Sequence, residues 1–274
     1  MQLRDMFWLW GHPEGRYNGL FGNTGISRMT PMEACLYLGV RNTFMVPVEV
    51  PINRRQYNKS FTTLRSVGWE CFGADEHPEK IEQLLAEARE FPNIKAAVFD
   101  DFMGQNNDRV KQGKPPVTAQ DLERVRERLH HGGPHPIETW MVLYITEFGE
   151  DEEKDRELQK ICAAFDGVIL WNWKEKHVAQ IPEKFEYFKK LTPNTRRMFG
   201  CYLYNFGENK QATPEAVLWQ LDFYREKIMA GEAEGVVFHT NTMADLDYPA
   251  YDAAISWMQA HGAEPAGPAA KQSK

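Results

Sequence analysis

The chain has 274 residues, 42% hydrophobic, 12% aromatic and 26% charged, which is enough apolar material for a sizeable core and unlike a disordered segment. Its formal charge of -7 comes from interspersed acidic and basic residues with no basic block to neutralise phosphates, which argues against a nucleic-acid partner. No apolar run approaches the ~20 residues that span a bilayer, so no membrane partner is expected.

The opening MQLRDMFWLW is apolar only briefly before Gly11, His12 and Pro13, and reads as a first strand instead of a signal sequence. The chain as given is therefore expected in the cytosol, with a removed leader left open. In chain order, strands are predicted at 6–11, 42–50, 67–72, 94–102, 139–148, 167–173, 198–206 and 235–241, most of them nearly continuous apolar runs. Amphipathic stretches alternate with them at 77–91, 118–132, 150–165 and 181–191, and Thr30-Pro31-Glu33 and Thr213-Pro214-Glu215 mark helix starts. Between the second and third strands, NRRQYNKSFTTLR leaves room only for a degenerate helix or a long loop.

Eight such β/α units predict a single (β/α)8 barrel over residues 1–262, followed by a small, polar and flexible tail at 263–274. The competing doubly wound sheet lacks a GxGxxG or GxxxxGK[ST] turn after any strand. Cys35, Cys71, Cys162 and Cys201 show neither CxxC spacing nor disulfide-scaffold density and are expected as reduced, buried thiols.

A barrel places its reacting groups at the carboxyl ends of several strands. Those ends carry His12, Glu49, Glu70, Asp75, Asp100, Asp101, Tyr144 and Glu147, then Trp171, Trp173, Tyr202, Tyr204, Asn205, His239 and Asn241. The sharpest feature is AAVFDDFMG: two consecutive aspartates at the end of an apolar strand would repel each other in a low dielectric, raising one pKa so that a proton is held at neutral pH. The alternative is that one caps the next turn while the other pairs with a cation. Glu147 and Glu70 are candidate second carboxylates; Glu147 is equally the start of the acidic run EFGEDEEKD, and the facing of Glu70 depends on the register of VGWECF.

Trp10, Trp171, Trp173, Tyr202 and Tyr204 offer flat faces for sugar rings, with Tyr144, His12, Asn205, His239 and Asn241 as polar partners; core packing is the competing role for each aromatic. The polar stretch 103–118 is expected as a long loop, a lid or gripping segment, in which Arg109 and Lys111 either bind an acidic sugar or are solvated. His12 and His239 could join carboxylates around a divalent metal, although no HxH or HExxH is present, and no GxSxG elbow supports acyl transfer.

VFDDFM, together with WGH on the first strand, WNW on the sixth and YLYNFGE on the seventh, resembles the glycoside-hydrolase-like barrels of bacteria over most of 1–262. The resemblance implies a (β/α)8 fold, a carbohydrate ligand and catalytic roles for Asp100 and Asp101. Of the DxxDxDxE signature of chitinase-like barrels only the Asp-rich strand end is present, and Met103 stands two residues beyond Asp101, so the usual proton donor is missing.

The expected function is a glycosidase acting on an oligosaccharide or glycoside, without a cofactor. One Asp of the pair is the acid, and the other Asp, Glu147 or Glu70 the nucleophile or base. A metal-dependent sugar isomerase or epimerase, and a carbohydrate-binding barrel without turnover, are the alternatives. Sugar, linkage, anomeric outcome and oligomeric state are left open.

Overall fold

The computed structural model describes residues 1–48, 50–71, 73 and 77–266. Eight parallel strands close into a barrel: β1 (Phe7–Gly11), β2 (Asn42–Met45), β3 (Ser66–Glu70), β4 (Ile94–Phe99), β5 (Glu138–Tyr144), β6 (Gly167–Trp171), β7 (Arg196–Tyr202) and β8 (Gly235–His239). Each pairs with its sequence neighbours, and β1 closes on β8 through Phe7 opposite Val236 and Trp10 opposite His239. The single (β/α)8 barrel read from the sequence is the fold observed.

Nine helices wrap it: α1 (Pro31–Leu38), α2 (Arg54–Ser60), α3 (Pro78–Glu90), α4 (Phe102–Lys111), α5 (Ala119–His131), α6 (Glu152–Ala163), α7 (Ile181–Leu191), α8 (Pro214–Met229) and α9 (Pro249–His261), counted among the described residues. The predicted caps form. Thr30 Oγ1 accepts from Glu33 N at 3.3 Å while Glu33 Oε2 accepts from Thr30 N at 2.8 Å, and Thr213 Oγ1 accepts from Ala216 N at 3.3 Å. In the second unit, α2 is short but anchored. Trp69 Nε1 donates to Asn58 Oδ1 at 2.9 Å, and Arg54 pairs with Glu87 while lying 4.0 Å from the Trp69 ring centroid.

Two local expectations are corrected. The segment 103–118 is not a loop through its length, because most of it is α4. Gly104, Asn106 and Asn107 are poor helix formers, and tertiary contacts override them: Phe102 is buried, Asn106 exchanges hydrogen bonds with Val117 in both directions, and Gln105 Nε2 donates to Asp100 O. Several strands also stop short of their predicted ends. β2 ends at Met45, since Pro47 has no N–H to donate and Val48 takes a φ of +49°. β7 ends at Tyr202, and Tyr204–Asn205 turns away to pair with Lys210–Gln211. Beyond Gly262, Leu3 N donates to Glu264 O and Ala266 N to Met1 O; of the expected tail, 267–274 lies outside the described residues.

The core has two parts. One lies between barrel and helices and takes in the four cysteines, all buried. The other fills the lumen with Trp8, Trp10, Phe44, Val46, Ala96, Val98, Trp140, Val142, Ile169, Trp171, Met198 and Val237. Glycine makes room for the largest of these: a Cβ on Gly200 would lie 1.9 Å from the Trp171 ring.

Candidate active site

Side chains alternate across a strand, so the lumen-facing residues determine which residues follow on the same side. Past Trp10 comes His12; past Val98, Asp100; past Val142, Tyr144; past Trp171, Trp173; past Val237, His239. Gly68 and Gly200 belong to the same series, because a Cβ on either would strike the lumen residues Phe44 and Trp171, and they are followed by Glu70 and Tyr202. Seven strands thus present a ring of His12, Glu70, Asp100, Tyr144, Trp173, Tyr202 and His239 at the carboxyl-terminal mouth. Glu49 and Asp75 lie outside the described residues.

One side of this ring is plugged. Trp10, Trp171, His12, His239, Tyr204, Asn205 and Asn241 are all buried. The role expected of these residues is contact with a sugar; here Trp171 packs edge-on against Trp10 and against His239, and the remaining side chains are hydrogen-bonded within the protein. The β1–α1 connection inserts Tyr17, whose hydroxyl donates to His12 Nε2 at 3.1 Å, and His12 Nδ1 donates to Val46 O at 2.7 Å. The His12 and His239 Nε2 atoms are 3.4 Å apart. Burial lowers His12 to about 4 and holds His239 well below the ordinary imidazole range, so both rings are neutral at pH 7. Asn241 ties β1 to β8 by accepting from His12 N and donating to His12 O and Met29 O. Tyr204 donates to Phe21 O at 2.8 Å, and Asn205 donates to Glu208. The histidines meet each other instead of a carboxylate, and no three His, Cys, Asp or Glu side chains group as metal ligands among the described residues.

The other side is open. Asp101, Tyr144, Glu147 and Trp173 line a cleft of about 410 Å³ together with Gly104, Gln105, Asp108 and Thr146. Asp101 stands at the N-cap position of α4 in the left-handed region (φ +44°), yet its side chain makes no capping bond; Oδ1 instead accepts from the Tyr144 hydroxyl at 2.8 Å. The Tyr144 hydroxyl is in turn 3.4 Å from that of Tyr202. Glu147 Oε2 accepts from Tyr144 N at 2.8 Å, and burial, aided by the Asp101 charge and opposed by that N–H, pushes the Glu147 carboxyl up to about 7.

Asp100 and Glu70 face a second cleft of about 750 Å³, which shares Gln105 and Asp108 of α4 with the first and has Lys80, Arg109 and Lys114 among its lining. Burial first, then the Asp101 and Glu70 charges, raise Asp100 to about 8. The Asp pair is thus brought together with Glu147 on one side and Glu70 on the other. Lys111 pairs with Asp108 at 2.7 Å, and Arg109 Nε donates to Pro115 O.

Sequence reasoning missed the supports. Asp155 of α6 is buried and accepts from Gly149 N at 3.0 Å and from the Tyr187 hydroxyl at 2.6 Å; Lys184 Nζ donates to Phe148 O at 2.8 Å. These contacts pin the β5–α6 loop that carries Glu147. Tyr17 was missed as well, and its only sequence signal is an aromatic residue within a Gly- and Asn-rich connection.

No protein-family model matches the chain, and no curated protein matches it in sequence. Solved structures share its fold. The catalytic domain of a hyperthermophilic chitinase from Pyrococcus furiosus superposes with a TM-score of 0.61 at 11% identity, covering 93% of this chain and 96% of that one. GH5_18 from Bifidobacterium longum gives 0.58 at 12% identity, covering 96% and 81%. The glycoside hydrolase domain of PgaB (BpsB) from Bordetella bronchiseptica gives 0.52 at 9% identity, covering 90% and 97%. At these identities the likeness establishes a shared barrel and no more.

Proposed function

We propose that this protein is a glycoside hydrolase acting on an oligosaccharide or glycoside in the cleft between β4 and β5. The observation that carries the reading is the pairing of Asp101 with Glu147, two carboxyl groups from neighbouring strand ends that line one open cleft beside the aromatic faces of Tyr144 and Trp173. Glu147, held up to about 7, is protonated in about half of the molecules at neutral pH and gives that proton to the glycosidic oxygen as the C–O bond breaks. Asp101 is the second carboxyl, attacking the anomeric carbon or taking a proton from the incoming water. Asp100, held up to about 8, is protonated at neutral pH and places no like charge beside Asp101. The Tyr144 hydroxyl fixes the orientation of Asp101.

The structural neighbours suggest where to begin. Catalytic-site mutants of active domain 2 of a thermostable Pyrococcus furiosus chitinase have been solved with chito-oligosaccharides, and a variant of GH5_18 with Manb1-4GlcNAc. The test is a panel of such glycans and of aryl glycosides incubated with wild type, Glu147→Gln and Asp101→Asn, with released sugar followed by chromatography. Hydrolysis by wild type, lost in both variants, is the expected result. Hydrolysis that survives both substitutions, turnover that requires an added divalent metal and rearranges the sugar, or tight binding with no product over long incubation would each overturn the reading.

A further inference from the structure

Leu20 and Phe21 are apolar and still 41% and 36% exposed, on the β1–α1 connection at the carboxyl-terminal mouth. Their exposure is built in. The buried Tyr204 holds Phe21 O at 2.8 Å, and Phe21 sits at φ +55°, an uncommon backbone for a large side chain. Gly22, at φ +75°, lies where a Cβ would come within 2.5 Å of Asn209 O, so the loop tip is pressed against the strand pairing of Tyr204–Asn205 with Lys210–Gln211. The Phe21 ring meets Trp173 edge-on at 6.3 Å and Phe206 at 5.3 Å. Trp173 stacks on Phe206 at 6.1 Å and lines the cleft of Asp101 and Glu147. An aromatic strip therefore runs from the carboxyl groups outward to Phe21, one ring beyond the cleft.

We propose that Phe21, with Leu20 beside it and Trp173 behind it, forms an outer sugar-binding subsite, so that the preferred ligand is a chain of several neutral sugars and not a single-sugar glycoside. This rests on the glycosidase reading of the cleft. Uncharged aromatic and aliphatic faces suit the C–H faces of neutral pyranose rings. Two exposed side chains fall far short of the roughly 800 Å² a side that a stable protein partner covers. The strip is also continuous with the cleft, so a chain seated across Asp101 and Glu147 reaches Phe21 without leaving an aromatic surface.

The test uses the full chain carrying Asp101→Asn, titrated by calorimetry with chito-, cello- and manno-oligosaccharides of two to six sugars. In at least one series, affinity is expected to rise at least about tenfold with length. Adding Phe21→Ala should cut the ratio between the longest and shortest chains roughly five- to tenfold, while Phe21→Trp keeps it. Should Phe21→Ala lose its cooperative melting, Phe21→Gly, which suits a positive φ, is the variant to read. A length ratio unchanged by a folded Phe21 variant, or no gain with length in any series, overturns the subsite even if wild type hydrolyses glycosides. Absence of hydrolysis by wild type, with the length gain intact and dependent on Phe21, overturns the glycosidase reading and leaves the subsite standing.

Discussion

Replacing Asp100 by Asn removes an ionisable group while keeping its shape. In the folded protein burial, Asp101 and Glu70 hold the Asp100 carboxyl up from 3.8 to about 8, whereas in the unfolded chain it returns to the ordinary range. Between those values the unfolded state has lost the proton that the native state retains. The native state is therefore penalised progressively as pH rises from about 4 to about 8, and not below that window. At ~1.4 kcal/mol per pH unit the interval has a ceiling of about 6 kcal/mol. Asp100 is only half-buried by accessible surface, and water reaching it reduces the figure to about 2–3 kcal/mol. An Asn at 100 pays no such penalty. Urea unfolding followed by tryptophan fluorescence is expected to find Asp100→Asn more stable by about 2–3 kcal/mol near pH 8 and by less than ~1 kcal/mol near pH 5. An equal change at both pH values, or a loss of stability at pH 8, would mean that Asp100 is ionised and paired in the native state, and the argument would be refuted.

The remaining predictions concern the cleft and the lumen. With Glu147 as the proton donor, hydrolysis should decline as pH rises through about 7, and Glu147→Gln should cost roughly 10²- to 10⁴-fold in turnover and remove that limb of the pH–rate profile. Tyr144→Phe deletes the 2.8 Å hydrogen bond to Asp101, and steady-state kinetics should show kcat down about tenfold with KM little changed, as for a bond that orients a reacting group. Gly200→Ala would drive a Cβ to 1.9 Å from the buried Trp171 ring, and thermal melting should show a loss of about 3 kcal/mol or more, or no soluble protein.

The strands and most helices were legible because burial on both faces leaves long apolar runs and because Thr30 and Thr213 announce helix starts. The strand ends were not. MFGCYLYNF is aromatic throughout, yet pairing in the barrel ends at Tyr202, and nothing in the local composition distinguishes Tyr202 from Tyr204. α4 was hidden for the opposite reason: Gly104, Asn106 and Asn107 favour a loop, and the helix exists through contacts made by Phe102 and Asn106 with distant residues. The acidic pair was legible as a pair, but the division of labour within it was not. Alternation from Ala96 and Val98 puts Asp100 on the lumen side, whereas Asp101 reaches Tyr144 only because its backbone turns left-handed.

The aromatic strand ends show why position on the mouth does not by itself make a ligand contact. Trp171 and Tyr144 both follow lumen-facing residues, yet Trp171 is buried under the plug formed by Tyr17, His12, His239 and Phe206 while Tyr144 lines the cleft. What separates them is the β1–α1 connection, whose reach across the barrel is a tertiary property. The plug nevertheless bears on the chemistry. Its histidines are neutral and its rings are apolar, so one side of the carboxyl cluster is closed to water. Burial is the first cause of the raised pKa at both Asp100 and Glu147. The plug meets the acidic pair through Tyr17, whose hydroxyl is pushed up first by burial and then by the Asp100 charge, so the closure made by the residues expected to grip a sugar bears on the pair at the end of β4.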